Sequence, residues 1–130
     1  MMNIKITGYE YQAGYGPWEV VIGAYRYNTD ANAWLNEGIY INGTPKFNRV
    51  RLMREGAGGA PRIVLGEIDT DWDHPQIKID IEIAGYNLQS VWSSNWTASL
   101  ETDISGLTAE AEPVIKSFFS SSGVATFMED

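Results

Sequence analysis

Three aspartates alternate in Asp69-Thr70-Asp71-Trp72-Asp73, with Glu67 just before them and His74-Pro75 directly after. In an extended segment, residues two apart project the same way, so the carboxylates of Asp69, Asp71 and Asp73 would converge. Converged carboxylates repel one another unless a cation or nearby arginines compensate. Calcium suits such a site, because it takes about six to eight oxygen ligands and accepts backbone carbonyls among them. The helix–loop–helix calcium motif needs a glycine after the third acidic position and a glutamate further on, and here His74 and Pro75 follow instead. The resemblance to that motif ends at three aspartates. Solvated turn chemistry and pairing with an arginine-bearing strand are the competing readings of Asp69, Asp71 and Asp73.

His74 is the single histidine. It would titrate near neutrality and could act as a base beside Asp71 or Asp73, but a base needs a nucleophile or a bound substrate. The serines are too many to single one out, and a Ser–His–Asp constellation is defined by geometry, not by composition. Pairs of carboxylates at glycosidase separation are inevitable in so acidic a chain and carry no specificity. No catalytic residue is assigned, and the expectation is a protein that is not an enzyme.

The tryptophans give a softer clue. Trp72 sits within the aspartate segment, and Trp92 and Trp96 bracket Ser93-Ser94-Asn95. Exposed indoles beside Asp and Asn would stack on and hydrogen-bond to a polyhydroxylated ligand, which makes Trp72, Trp92, Asn95 and Trp96 the candidate ligand-binding set. Trp72, surrounded by polar neighbours, is the tryptophan expected to be most exposed. The same residue types serve as hot spots at protein interfaces. The bland alternative is core packing, since a buried Trp needs only a partner for its N–H.

Composition sets the outer limits. A chain of 130 residues with 44% hydrophobic and 20% charged residues is a single folded domain by ordinary priors. The absence of cysteine removes disulfides, thiolate chemistry and Cys-based metal centres. A formal net charge of −8 opposes binding to nucleic-acid backbones and to anionic membranes. No apolar run approaches about eighteen residues, so membrane insertion is not expected. The start, Met1 to Gln12, alternates instead of forming an apolar run and does not read as a signal peptide, leaving a cytoplasmic location as the default. Charge is nonetheless segregated. Lys46, Arg49, Arg51, Arg54 and Arg62 form a basic block, followed by the acidic Glu67, Asp69, Asp71, Asp73, Asp80 and Glu82. Neighbouring strands carrying complementary rows of charge explain this most simply.

The elements that would hold these residues are mostly strands. Alternation predicts strands at Asn3–Thr7, Trp18–Tyr27, Trp34–Ile41, Phe47–Arg54, Arg62–Leu65 and Ile77–Ile83. The strand from Trp18 is apolar on both sides and reads as covered twice, with Gly23 marking a bulge or a close backbone approach. Asn42-Gly43 is a hairpin signal, though Pro45 spoils the returning ladder. Glu55 to Pro61 is a glycine-rich hairpin connection. Ile77, Ile79, Ile81 and Ile83 against Lys78, Asp80 and Glu82 give one buried and one wet face. Further strands are expected at Leu88–Trp92, Trp96–Thr102 and Val124–Met128. Pro113 is well placed to begin a helix, Thr108 offers an earlier start, and Val114/Phe118 with Ile115/Phe119 would form its apolar stripe.

The expected fold is therefore mainly β: an antiparallel β-sandwich or partly open barrel of seven to nine strands, with one short C-terminal helix. The expected function is a non-catalytic ligand-binding module, for carbohydrate in the first instance, with calcium as the candidate ion at Asp69, Asp71 and Asp73. The alternative is a protein–protein interaction or accessory role built on an acidic surface.

Overall fold

The computed structural model describes residues 2–25, 34–56, 60–72, 76–83, 96–116 and 128–129. These residues contain eight strands: β1 (Met2–Tyr9), β2 (Pro17–Tyr25), β3 (Leu35–Gly43), β4 (Val50–Glu55), β5 (Pro61–Leu65), β6 (Gln76–Ile83), β7 (Leu107–Ala111) and β8 (Ile115–Lys116). They form two open sheets, one ordered β6-β1-β2-β3-β8 and the other β5-β4-β7. All pairings are antiparallel except the short parallel bridge between β3 and β8.

Period-two alternation builds the first sheet. Met2, Ile4 and Ile6 of β1 and Trp18, Val20, Ile22 and Ala24 of β2 are buried, and Ile39 of β3 joins them. From the second sheet Val50 and Leu52 meet this face, with Phe47 from the segment before β4, so the two sheets share one core. Ile4, Val20, Ile22, Val50 and Leu52 are fully enclosed, each contributing about 1.5–3 kcal/mol of transfer free energy.

Several expectations are corrected. Asn42-Gly43 does not join paired strands, because β3 and β4 belong to different sheets. Gly43 has φ +85° and closes β3 opposite Trp18, and with Pro45 unable to donate to a ladder the chain crosses to the other sheet. The strand β2 is covered on one face only: Val21 is half-buried and Gly23 exposed. The register does shift between Gly23 and Tyr25, as a bulge at Gly23 would require.

Among the described residues there is no helix. Thr108 to Ala111, placed at a helix start by sequence, instead lies in β7 and pairs with β4, while Ile115 and Lys116 bridge β3. Pairing with the open side of β4 overrides the helical propensity of Ala109-Glu110-Ala111. Pro113 and Val114, the expected start of the helix, are not helical. The rest of the expected helix from Ser117 and the strands expected at Leu88–Trp92 and Val124–Met128 lie outside the described residues, save Met128, which belongs to no strand. Residues 96–102 form no strand, and Thr97 to Thr102 are exposed. The chain turns at Asp103, whose Oδ1 accepts from the Ser105 amide at 2.8 Å, before entering β7. No helix of the described residues is long and apolar enough to cross a membrane.

Candidate functional site

The aspartate segment begins at a turn locked by glycine. Gly66 has φ +83°, and a Cβ there would fall 2.6 Å from Thr70 Oγ1. Its amide donates to the Arg49 carbonyl at 2.8 Å, and its carbonyl accepts from Arg51 Nη2 at 2.7 Å. Thr70 then folds back: its hydroxyl accepts from the Glu67 amide at 2.8 Å and its own amide donates to the Glu67 carbonyl at 3.1 Å. This turn breaks the extended geometry on which convergence of the aspartates depends. Asp69 and Asp71 are both exposed, while Asp73 and His74 lie outside the described residues. Among the described residues no group of three or more acidic or histidine side chains is placed to hold a metal ion.

Arg49, Arg51 and Arg62 pair with glutamates. Arg49 donates to Glu67 at 2.9 Å through Nη1 and grips Glu112 with Nε and Nη2, the latter at 3.1 Å. The hydrogen bonds to Glu112 and Glu67 raise the Arg49 pKa further, and the reciprocal bond from Arg49 holds the Glu112 carboxyl below its ordinary range. Arg51 is buried, its Nη2 donating to the Gly66 carbonyl and lying 3.7 Å from the Glu67 carboxylate, while its buried Nε meets no hydrogen-bond partner among the described residues. Arg62 pairs with Glu55 across the β4–β5 hairpin, and Lys78 with Asp80 along β6. Complementary charge between neighbouring segments thus accounts for much of the basic block, through partners the alternation did not single out.

The described tryptophans of the candidate set, Trp72 and Trp96, each pack on another aromatic ring. Trp72 is half-buried, its ring 5.5 Å from Phe47 and 6.5 Å from Trp18. Trp96 packs on Trp34 at 6.3 Å, and Trp34 donates its ring N–H to the Met53 carbonyl at 2.9 Å. Trp72 and Trp96 therefore rest on different core tryptophans. Trp92 and Asn95 lie outside the described residues.

Two surfaces stand out that the candidate set did not contain. One is the solvent face of the five-stranded sheet. Its register aligns Asp80, Lys5, Val21 and Tyr40 in one row and Glu82, Asn3, Gly23 and Gly38 in the next. Gly23 and Gly38 are paired, neither has a positive φ, and a Cβ at either position would meet nothing within 4 Å. Neither backbone strain nor internal packing requires glycine there, so the strip is bare, with Val21 half-buried and Tyr40 half-exposed beside it. Lys5 pairs with Glu19 at 3.9 Å, and Asn42 donates to the same carboxylate, which completes a rim with Asp80 and Glu82. The sequence signal was Gly23 itself, a glycine inside an apolar strand.

The other surface is an open groove of about 380 Å³ beside the β1–β6 pair, lined by Thr7, Gly8, Tyr9, Gln76, Ile77 and Lys78. Tyr9 is half-exposed, and Tyr11 and Tyr15 of the following hairpin loop are also exposed. Lys46 reaches over the Tyr15 ring, 5.5 Å from its centroid. The chain matches no protein-family model, and neither a curated protein nor a solved structure shows significant similarity to it.

Proposed function

We propose that this protein is a non-catalytic binding module whose partner is another protein. The observation carrying this reading is the flat strip of Val21, Gly23, Gly38 and Tyr40, bordered by Glu19, Asp80 and Glu82. Glycine inside a strand marks a place where another backbone approaches closely, and a half-exposed tyrosine beside it supplies contact area at low entropic cost. An acidic border on a chain of net charge −8 selects a partner with an apolar centre and a basic rim.

A direct test is cross-linked affinity capture with the wild-type chain and with Gly23→Arg and Tyr40→Asp. Both substitutions point to solvent, so the fold should survive. A partner held by wild type and lost from both variants supports the reading. Equal capture by all three chains sinks it.

Carbohydrate binding is the second reading, favoured by the groove, where Tyr9 offers a stacking face beside the amide of Gln76, the hydroxyl of Thr7 and the ammonium of Lys78. A glycan array distinguishes it: saturable binding lost in Tyr9→Ala would put this reading first. Calcium at Asp69, Asp71 and Asp73 remains a component of that second reading. Calorimetric titration of chelator-treated protein checks it, with stoichiometric heat and a raised Tm as the supporting result.

A further inference from the structure

The strand β6 has one neighbour among the described residues, β1, and all eight of its residues are registered against it without a bulge. Sheet edges are ordinarily guarded by proline, by bulges or by charges pointing inward. Gln76–Ile83 contains none of these, and its core-side positions are isoleucines. The consequence shows in burial. On β1, Ile4 and Ile6 are 0% and 6% exposed, whereas their partners Ile81 and Ile79 are only half-buried and Ile77 is 41% exposed. A further strand laid along β6 would cover this isoleucine row and satisfy the side of its backbone that no described residue pairs.

The charges on the other face of β6 identify the occupant. Lys78 and Asp80 lie 3.2 Å apart along the strand, with side chains 73% and 53% exposed. When β6 is laid antiparallel on a copy of itself about Ile79, Lys78 of each copy faces Asp80 of the other, and Ile77 faces Ile81. The two existing pairs close into a ring of four alternating charges. Centring the pairing on Ile81 would set Asp80 against Glu82, and an in-register parallel arrangement would set each charge against itself. Like charges directly opposite are destabilising, so one register is selected.

We propose that the chain forms a two-fold dimer through β6, joining the five-stranded sheets of two copies into one continuous sheet. The pairing uses the β6 edge and shares only Asp80 with the border of the solvent face assigned above to another protein. Dimerisation is read on Lys78 and Asp80 and partner capture on Gly23 and Tyr40, so either proposal can fail without the other.

The test is sedimentation equilibrium of the full chain as wild type, Asp80→Lys and the exchanged pair Lys78→Asp/Asp80→Lys, with circular dichroism confirming that each is folded. Wild type should sediment at twice the 14.5 kDa chain mass. Asp80→Lys should weaken the dimer by about tenfold or more, since it places lysine against lysine in both halves of the ring. The exchanged pair should restore it. Amide exchange provides a check that needs no variant: β6 amides should gain protection as wild-type concentration rises. A wild type that stays monomeric, or a dimer indifferent to Asp80→Lys, overturns the proposal.

Discussion

At the scale of single residues, glycines divide into those the fold needs and those it does not. Gly8 lies opposite Trp18, and a Cβ there would fall 2.1 Å from the indole ring. Gly8→Ala must therefore displace a buried ring at the centre of the Trp18–Phe47–Trp72 cluster, and is expected to cost about 1–3 kcal/mol. Gly23→Ala meets nothing and should instead stabilise by about 0.4–1 kcal/mol, by restricting the unfolded chain. Urea denaturation of the two variants measures both, and opposite signs are the expected result. Glu112 makes a pH prediction. Its folded-state pKa is depressed, chiefly by the hydrogen bond from Arg49. A depressed carboxyl binds fewer protons in the folded state, so its stabilisation is complete above the unfolded pKa and is lost as pH falls through the folded one. The stability difference between wild type and Glu112→Gln should be largest near neutrality and shrink in acid. Thermal melts across that range check it, and a constant difference would remove the ion pair as its cause.

At the scale of elements, position in the sheet outweighs the regularity of the sequence pattern. The cleanest alternation, Ile77 to Ile83, belongs to a strand with one described neighbour, so Ile79 and Ile81 are only partly covered and Ile77 is exposed. Ile4 carries a weaker pattern but sits between β2 and β6 and is fully buried. Ile4→Ala is expected to cost about 2–5 kcal/mol and Ile79→Ala roughly half of that, by chemical denaturation. The reverse order would mean that β6 is covered more deeply than its exposure indicates. The same logic explains β7: Leu107 to Ala111 alternates weakly and is rich in helix formers, yet β4 presents an open side that its backbone can satisfy. Local propensity is worth tenths of a kcal/mol per residue, and a ladder with a buried strand exceeds it. The aspartate segment opens on a turn for a local reason: the Thr70 hydroxyl and amide fold back on Glu67.

At the scale of the whole molecule, two open sheets share one core, and the surfaces left over determine what the protein can bind. If the solvent face of the larger sheet is the docking surface, Gly23→Arg should abolish partner capture while leaving the melting temperature near that of wild type. A variant that loses both would report on folding and not on recognition. Much of this was legible in the chain. Period-two alternation placed the core faces of β1, β4 and β6, since burying one face of a pleated strand needs no knowledge of its neighbours. The absence of cysteine and the negative charge narrowed the chemistry equally directly. Which strands pair, by contrast, is a property of long-range contacts. Asn42-Gly43 encodes a turn but not the sheet the chain enters after it, and Pro113 permits a helix without requiring one. The exposure of a tryptophan depends on what packs against it, so Trp72 could not be placed from its polar neighbours along the chain. Sequence by itself determined which faces are apolar, because that is written in side-chain chemistry. Only the tertiary structure decided which of them stay open, because coverage is supplied by residues distant in the chain.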